Sequence, residues 1–472
     1  MKEVQPNDSV RPDSAGSPVF SRRSLMRGMA FGLGGLAMTS LAACAPAAAP
    51  AAEESMDEEA APAPMPETII MWYDLGASDA QVWEQFCKNY IEANEHPDIT
   101  FEYEQVGGGE MGTKIMASIA TGDPPDISFR TMNDVAVWHE AGGLTPLDDL
   151  METVGLDLDD FLPQYIEWSS LEGELYSITM DILPIAALIN AGHAEEAGLD
   201  ISNPPADGPS LIEWSKAMTV KEGDQITRSG FLMTGSSVQP NVVFGIIAQQ
   251  LGAQPLNDDR TSVTFNDTDA PIAAAQWVLD TFDKHEMSTR DIADRYGAYG
   301  QQVGSIFWTG PWTLFGYVNT EGLDFITAPV SLIGDTLTTE AREYGLALFT
   351  APGRTEDHLV AGAKVIKWFS DNSMLWVTEG RGAPPRRSIL DDPDYMTLGL
   401  DWELRKPFAE AVEYSFFDYL NMVDGGQFAF YAGSSSALPK AMDPVWAGEK
   451  SIEEGLADVE VAWQKILDDR NA

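Results

Sequence analysis

The feature that most constrains the fold of this chain is an alternation of strand-like and helix-like segments early in its sequence. Three segments have the apolar runs or period-two alternation of strands, and the two between them have apolar residues at helical spacing. In chain order the five segments are 68–73, 79–93, 99–104, 113–121 and 126–129. This order predicts a mainly parallel sheet covered by helices. Ligands of such sheets bind beyond the carboxyl ends of the strands, so the loops after residues 73 and 129 are candidate binding segments.

The later part of the chain predicts further helices. Residues 271–284 and 360–369 have broad apolar faces, and Ser451 with Glu454 forms a capping box before a final amphipathic helix. The Gly- and Pro-rich stretch 433–448 is typical of a loop. Cys87 lies on the apolar side of the first helix, which favours a buried thiol over a reactive one.

Charge and cysteine content exclude several classes of function. The 472 residues include 28 Lys and Arg against 74 Asp and Glu, so the formal net charge is −46. Such a charge repels nucleic acid and anionic lipid. Two cysteines form neither a disulfide scaffold nor a multi-thiolate metal site, and five scattered histidines lack the spacing of a catalytic zinc site. The G-x-S-x-G motif of hydrolases is also missing, so the sequence predicts no metal, no cofactor and no enzyme.

The first 66 residues predict an export and lipidation signal followed by a tether. Arg22 and Arg23 resemble a twin-arginine export signal, and the apolar run 29–43 is shorter than the about 20 residues that a membrane span needs. The run ends in Leu-Ala-Ala-Cys, which resembles a bacterial lipobox with Cys44 as the lipidated residue. We therefore expect residues 1–43 to be a signal peptide and residues 44–66 a disordered tether of Ala, Pro and acids. The body would lie outside the cytoplasmic membrane, facing the periplasm or the exterior and held by lipid.

Several separated motifs resemble one family. Residues 116–127 (MASIATGDPPDI) and 140–150 (EAGGLTPLDDL) are similar to two consecutive signatures of extracellular solute-binding proteins of ABC importers, in the sugar-binding group that includes maltose-binding protein. Residues 306–312 (IFWTGPW), 383–388 (APPRRS) and 446–454 (WAGEKSIEE) resemble the next landmarks in the expected order. The resemblance covers almost all of the chain after the tether.

This resemblance implies a two-lobe α/β periplasmic-binding-protein-like fold with a hinge and an interlobe cleft. The first lobe would comprise residues 67–180 and 329–388, and the second 181–328 and 389–472. The implied function is capture of a carbohydrate between the lobes and its delivery to an ABC permease in the membrane. Two alternatives stay open: a binder of a charged solute, such as a sugar phosphate or polyamine, and a secreted polysaccharide hydrolase.

Aromatic candidates for the site follow from the chemistry of sugars, whose apolar faces stack on aromatic rings. Trp312 matches the tryptophan that packs on sugar in the family's Gly-Pro-Trp loop, although a core tryptophan bracing that loop is the alternative. Trp308 precedes it in a segment that a buried strand explains equally well. Trp72 and Tyr73 end the first strand, so one is expected to face the cleft and the other the core.

Polar candidates follow the predicted strands. Asp74 comes directly after the first strand, and Arg130 ends the third, where it could meet a carboxylate or phosphate. The family places sugar-binding polar residues at the positions of Asn133 and Asp134, for which helix capping is the alternative.

Three further candidates lie later in the chain. Asp181 precedes an expected crossing between the lobes and could accept hydrogen bonds from hydroxyls, or be a solvated loop acid. Arg386 lies in the Pro-Pro-Arg-Arg turn and is expected to line the cleft, with a surface cation as the alternative. Tyr431, within an aromatic stretch, is the last candidate.

Overall fold

The computed structural model describes residues 67–107, 110–236, 238–257, 261–417 and 436–470. The predicted signal peptide and tether, Cys44 and Tyr431 lie outside the described residues.

Thirteen strands lie within the described ranges. They are β1 Glu67–Tyr73, β2 Ile99–Gln105, β3 Ile127–Thr131, β4 Ser170–Leu171, β5 Glu174–Leu175, β6 Ile178–Pro184, β7 Ala186–Asn190, β8 Val220–Glu222, β9 Gln225–Phe231, β10 Gly304–Thr309, β11 Phe325–Ala328, β12 Thr339–Leu348 and β13 Ser415–Phe417.

The helices of these ranges are α1 Ala77–Ala93, α2 Met111–Thr121, α3 Met132–Glu140, α4 Asp148–Val154, α5 Pro163–Trp168, α6 Ala191–Glu196, α7 Gly208–Met218, α8 Val238–Gln250, α9 Ala270–Asp283, α10 Arg295–Gly300, α11 Leu314–Val318, α12 Glu356–Asp371, α13 Met374–Trp376, α14 Arg387–Leu390, α15 Pro393–Thr397, α16 Trp402–Ala411, α17 Ala437–Trp446 and α18 Ile452–Arg470. Short 3₁₀ turns occupy Leu158–Asp160, Pro311–Thr313 and Val412–Tyr414, and a π-helical turn occupies Val377–Arg381.

The first sheet confirms the parallel arrangement predicted from the early segments. Its strand order is β13-β12-β3-β1-β2, with β6 also paired to β12. Strand β1 runs parallel to both β2 and β3, as the βαβαβ order requires. Helix α1 packs on this sheet through Trp83, Phe86 and Cys87, and the Cys87 thiol is fully buried as predicted. We call this sheet with its helices the first lobe.

A second sheet has the strand order β11-β7-β10-β9-β8. The chain passes from the first sheet to the second at Ile185, between β6 and β7, and returns between β11 and β12. Helices α8, α9, α17 and α18 share one apolar core with this sheet. We call this assembly the second lobe. The fold is thus two α/β lobes joined by crossing segments, as the resemblance implied.

The C-terminal region confirms one prediction and contradicts another. At the start of α18, the Ser451 hydroxyl accepts from the Glu454 backbone N–H and the Glu454 carboxylate accepts from the Ser451 N–H, both at 3.2 Å. The prediction of a loop over 433–448 was wrong where the structure describes it, because α17 occupies most of the stretch despite Pro444 in its interior. Burial of Met442 and Trp446 against the core offsets the hydrogen bond that the proline removes.

Within the described ranges we find no helix of the length and apolarity that crossing a membrane would require.

Candidate functional site

A cavity of about 430 Å³ lies between the two lobes. The first lobe contributes polar and charged groups together with one aromatic ring, and the second contributes mostly aromatic rings. From the first lobe and the strand leaving it, the lining includes Leu75, Gly76, Asp79, Thr131, Leu183, Arg342, Tyr344 and Arg381. From the second lobe it includes Tyr296, Trp312, Thr313, Gly316 and Tyr317.

The aromatic wall is built from α10, α11 and the turn after β10. The Trp312 Nε1–H donates to the Tyr296 hydroxyl at 3.2 Å, and the Tyr317 hydroxyl donates to the Tyr296 carbonyl at 3.1 Å. Gly310 makes room for the indole, because a Cβ at this position would lie 1.8 Å from the Trp312 ring. The Gly-Pro-Trp sequence therefore sets the position of Trp312, which is half-buried and available to a ligand on its cavity side.

The charged wall centres on Arg381, at the end of the π-helical turn. Its Nη1 donates to Asp79 at 2.9 Å, its Nε lies 3.4 Å from an Asp181 carboxylate oxygen, and its guanidinium lies 4.5 Å from the centre of the Tyr344 ring. Burial alone would lower the pKa of Arg381, but the two carboxylates raise it, so the group is cationic. Gly382 follows with φ 129°, and a Cβ there would meet the Ile182 carbonyl at 2.2 Å, so only glycine permits this chain path.

Asp181 lies behind the cavity and is fully buried. One carboxylate oxygen accepts from the Tyr344 N–H at 3.1 Å and the other from the Trp376 Nε1–H at 2.7 Å. Burial raises the pKa of Asp181 to about 7, although Arg381 and the two donors oppose that shift.

The second arginine of the cavity, Arg342, also has a carboxylate partner. It donates from Nε and Nη2 to one oxygen of Glu340 at 3.1 and 3.0 Å. Glu340 is buried, and that burial raises its pKa even though Arg342 lowers it. Both arginines that line the cavity are therefore accompanied by carboxylates of this chain.

Three of the predicted polar residues meet at the edge of the cavity. The Arg130 Nε lies 2.6 Å from Asp134 and its Nη1 lies 3.3 Å from Asp74. Burial acts to lower the pKa of Arg130, but Asp134 and then Tyr344 and Asp74 raise it. These three side chains adjoin Leu75 and Thr131, which line the cavity. Asn133 is half-buried in the first turn of α3, which begins at Met132.

Other predicted residues do not line the cavity. Tyr73 is 1% exposed and packs on Trp83 in the first-lobe core, while Trp72 packs on the opposite face of the sheet among residues of α2 and α3. Trp308 is buried against Phe231 in the second-lobe core. The structure thus places Tyr73 and Trp308 in the two cores, as the buried-strand alternative for Trp308 has it, and neither Trp72 nor Tyr73 is among the residues that line the cavity.

Asp181 and Arg386 are likewise placed differently from the prediction. Asp181 reaches the cavity only through Arg381 and is not a solvated loop acid. Arg386 lies 2.6 Å from both Asp160 and Asp371, which engage its guanidinium away from the cavity. Of the predicted residues within the described part of the chain, Trp312 is the one that lines the cavity.

Sequence reasoning missed Asp79, Tyr296, Tyr317 and Arg381. A signal existed for Arg381, which lies two residues before the family motif at 383–388. Asp79 carried no signal among 74 acids. Within the described ranges, no three His, Cys, Asp or Glu side chains are grouped as a metal ion would require.

Comparisons with known structures match this architecture. An ABC substrate-binding protein from Listeria monocytogenes in complex with cycloalternan aligns with a TM-score of 0.70 and 16% identity, covering 85% of this chain and 99% of that one. The maltose/maltodextrin-binding domain MalE from Bdellovibrio bacteriovorus bound to maltotriose gives 0.68 and 18%, covering 85% and 100%. UgpB from Mycobacterium tuberculosis in complex with glycerophosphocholine gives 0.71 and 16%, covering 86% and 99%. At these identities the likeness establishes the two-lobe fold.

The amino-acid sequence also matches the model of a protein family. The model of the bacterial extracellular solute-binding protein family matches residues 74–333, more than half of the chain. That range includes Asp79, Tyr296, Trp312 and Tyr317 of the cavity wall. A two-lobe fold, a cavity between the lobes and this match agree, and the chain belongs to the bacterial extracellular solute-binding proteins, an exported family of binding proteins.

Proposed function

We propose that this protein is the substrate-binding component of an ABC importer and captures a neutral carbohydrate between its lobes. The observation that carries the proposal is the cavity itself, which has a volume of about 430 Å³. Trp312 and Tyr317 line it from the second lobe, and Asp79 and Arg381 line it from the first. Aromatic rings bind the apolar faces of a pyranose, and charged groups in fixed positions hydrogen bond its hydroxyls. The volume falls in the usual range of small-molecule sites.

The pairing of charges favours a neutral solute over a charged one. Arg381 is held by Asp79 and lies close to Asp181, and Arg342 is bonded to Glu340. An anionic solute would have to compete with carboxylates already in place, and a cationic one would meet two guanidinium groups. Hydroxyls can both accept from the arginines and donate to Asp79, which lines the cavity, without disturbing these pairs.

The solved relatives support a sugar as solute. Two of the aligned structures are complexes with cycloalternan and with maltotriose. A third is a complex with glycerophosphocholine, a zwitterion that carries a phosphodiester anion and a quaternary ammonium cation, so that compound is an informative probe with ionic groups in the test.

A thermal-shift screen followed by calorimetry tests the proposal. The panel contains maltose, maltotriose, cycloalternan and tagatose, with glycerophosphocholine as the charged probe. We expect at least one sugar to raise the melting temperature in a concentration-dependent way and to bind equally at low and high salt, since neutral recognition is not screened. No shift with any sugar, or a shift with glycerophosphocholine alone that disappears at high salt, would contradict the proposal.

Two variants test whether the sugar-induced thermal shift arises from binding in this cavity. Trp312→Ala is expected to abolish the sugar-induced shift. Arg386→Ala serves as its matched control, because Arg386 lies outside the cavity and is expected to leave the shift unchanged. Assays with chromogenic glycosides test the alternative of a polysaccharide hydrolase, and we expect no turnover.

The proposal extends to export and anchoring. Residues 1–43 would be removed as a twin-arginine signal, Cys44 would be lipidated, and 44–66 would tether the body to the membrane next to its permease. Palmitate labelling of the full chain in a bacterial host should be lost in Cys44→Ser. A lobe limit at 328/329 and a contact from Tyr431 to solute are further parts of this proposal. The expected limits at 180/181 and 388/389 do not match the first sheet, which includes β6 to Pro184 and β13 at Ser415–Phe417.

A further inference from the structure

We propose that Asp181 is a positioning residue for solute binding: its ionised carboxylate holds Arg381 in the orientation that faces the cavity. The affinity for solute then depends on the protonation state of a group that the solute does not touch. The inference rests on the proposed function for the class of solute, while the arrangement of Asp181 and Arg381 is a property of the chain itself.

The guanidinium of Arg381 is held from three directions. Asp79 on α1 accepts from Nη1 at 2.9 Å, Asp181 on β6 lies 3.4 Å from Nε, and the Tyr344 ring on β12 lies 4.5 Å away. The arginine side chain is 4% exposed and lines the cavity. The cavity is therefore the side from which a solute hydroxyl approaches it.

Asp181 acts on the solute only through Arg381. Its side chain is 0% exposed, and its two oxygens accept from the Tyr344 N–H and the Trp376 Nε1–H. Both donors belong to segments that shape the cavity: Tyr344 lines it, and Trp376 directly precedes the π-helical turn that ends at Arg381. One carboxylate thus fixes the arginine, the strand β12 and the start of the turn together.

Charged groups around Asp181 place its titration near neutrality. From α1 the Asp79 carboxylate disfavours its ionisation and from the π-helical turn Arg381 favours it, while on β12 it is Asp181 that raises the pKa of Glu343. Burial is the largest influence and raises the pKa of Asp181 to about 7. Arg342, which precedes Glu343 on β12, lowers the pKa of Glu343. As the pH falls through 7, Asp181 gains a proton, Arg381 loses one anionic partner, and the affinity for a hydroxyl solute should fall.

Calorimetry across pH 5.5 to 8.5 tests the coupling, with maltotriose as probe, or the panel sugar with the largest thermal shift where maltotriose gives none. We expect wild-type affinity to fall about tenfold toward pH 5.5, because the buried guanidinium then loses one of the two carboxylates that form ion pairs with it. Asp181→Asn should bind about tenfold more weakly at pH 8.5 and vary little with pH. A variant that binds like the wild type at every pH would overturn the proposal.

Glu343→Gln is the matched control. Burial raises the pKa of Glu343 to about 8, so this group also titrates nearby, but its carboxylate accepts from the Met132 N–H at 2.9 Å and not from Arg381. The control should keep the wild-type pH profile of binding. A profile that flattens in Glu343→Gln and not in Asp181→Asn would assign the effect to Glu343 and contradict the inference.

An indole NMR signal supplies a readout that needs no solute. The Trp376 Nε1–H donates to Asp181, so its ¹H–¹⁵N resonance, assigned with Trp376→Phe, should move with pH near neutrality in the wild type and not in Asp181→Asn. If no panel sugar binds, the proposed function fails and this signal alone decides the inference. The pH at the midpoint of this Trp376 titration must then rise in Arg381→Gln, because Asp181 loses the cation that favours its ionisation. An unchanged midpoint would contradict the interaction between Asp181 and Arg381.

Discussion

Each end of the first sheet contains a cluster of paired charges, and only one of the two clusters borders the cavity between the lobes. The cleft cluster, Asp79, Asp181 and Arg381, lies beyond the carboxyl end of β1. The distal cluster, Glu67, Asp126, Arg354 and His358, lies at the amino ends of β1 and β3.

In the distal cluster, both ring nitrogens of His358 meet carboxylates: Nδ1 is 2.8 Å from Glu67 and Nε2 is 2.7 Å from Asp126. Arg354 lies 2.8 Å from the same Asp126 oxygen. Asp126 also accepts from the Ile70 N–H at 2.8 Å, so this cluster fastens β1 to the loop before β3. The comparison teaches that buried, paired charge is not in itself evidence of a ligand site. The distal cluster also lines a surface pocket, of about 400 Å³. What distinguishes the cleft cluster is that its cavity lies between the lobes, at the ligand-binding end of the strands.

The largest effect is expected from Arg381→Met, which removes the cation of the cleft cluster. Asp79 and Asp181 would be left buried without it, which should lower the free energy of unfolding by about 3–5 kcal/mol at pH 8. Burial already raises the pKa of Asp79 and that of Asp181, so both acids should take up protons in the variant as the pH falls. Urea unfolding should therefore show a much smaller loss at pH 5 than at pH 8. Equal losses at both pH values would mean that the cluster is held by packing and not by charge.

Trp312→Ala tests the wall that faces the cleft cluster. Loss of the stacking surface should weaken sugar binding by about 2–3 kcal/mol, because a large apolar side chain contributes this much on burial. Calorimetry with the sugar identified in the screen measures the change, and Trp312→Phe should recover part of it. The melting temperature without sugar should change little, since Trp312 is only half-buried. A large loss of stability with unchanged affinity would make Trp312 a brace for its loop.

His358→Gln tests the distal cluster and should affect stability alone. The carboxylates of Asp126 and Glu67 raise the pKa of His358 against the opposing effect of burial. A raised pKa stabilises the fold fully below the unfolded value of about 6.5, and this contribution is lost as the pH rises through the folded value. The variant should therefore be about 1–2 kcal/mol less stable than the wild type at pH 6 and similar to it at pH 9. Sugar affinity that falls together with stability at pH 6 would break the distinction between the clusters.

The features of the fold and of the site that could be predicted are those that depend on contacts between neighbours in sequence. The parallel strands β1 to β3, the helix α1 and the capping box of α18 depend on neighbours in sequence, and the sequence predicted them. Which strand face meets the cavity is a tertiary property: Tyr73 and Trp308 end or precede predicted loops, yet their side chains point into the two cores. Trp312 was predicted from the family resemblance of its Gly-Pro-Trp loop, in which Gly310 leaves room for the indole.

The cleft cluster could not be predicted, because Asp79, Asp181 and Arg381 come together from positions separated by about one to three hundred residues. Each is an ordinary charged residue until the first lobe brings α1, β6 and the π-helical turn together. In a chain with 74 acids, the charge of a residue does not identify it as part of the binding site. The aromatic turn is a local feature of the sequence, and the charged wall is a feature of the fold.

The smallest effect is expected from Arg386→Ala. This change compares the site predicted from the sequence, which included Arg386, with the cavity in the structure, which does not. The sequence predicted this arginine at the cleft, whereas the structure engages it with Asp160 and Asp371, and Asp160 also accepts from the Ser388 N–H at 2.8 Å. Removal should lower the unfolding free energy by about 1 kcal/mol, because the Asp371 partner is 32% exposed and its ion pair is partly screened by solvent. Affinity for sugar should stay within twofold of the wild type by calorimetry. A tenfold loss would return Arg386 to the ligand-binding residues and would show that the solute reaches beyond the cavity between the charged and aromatic walls.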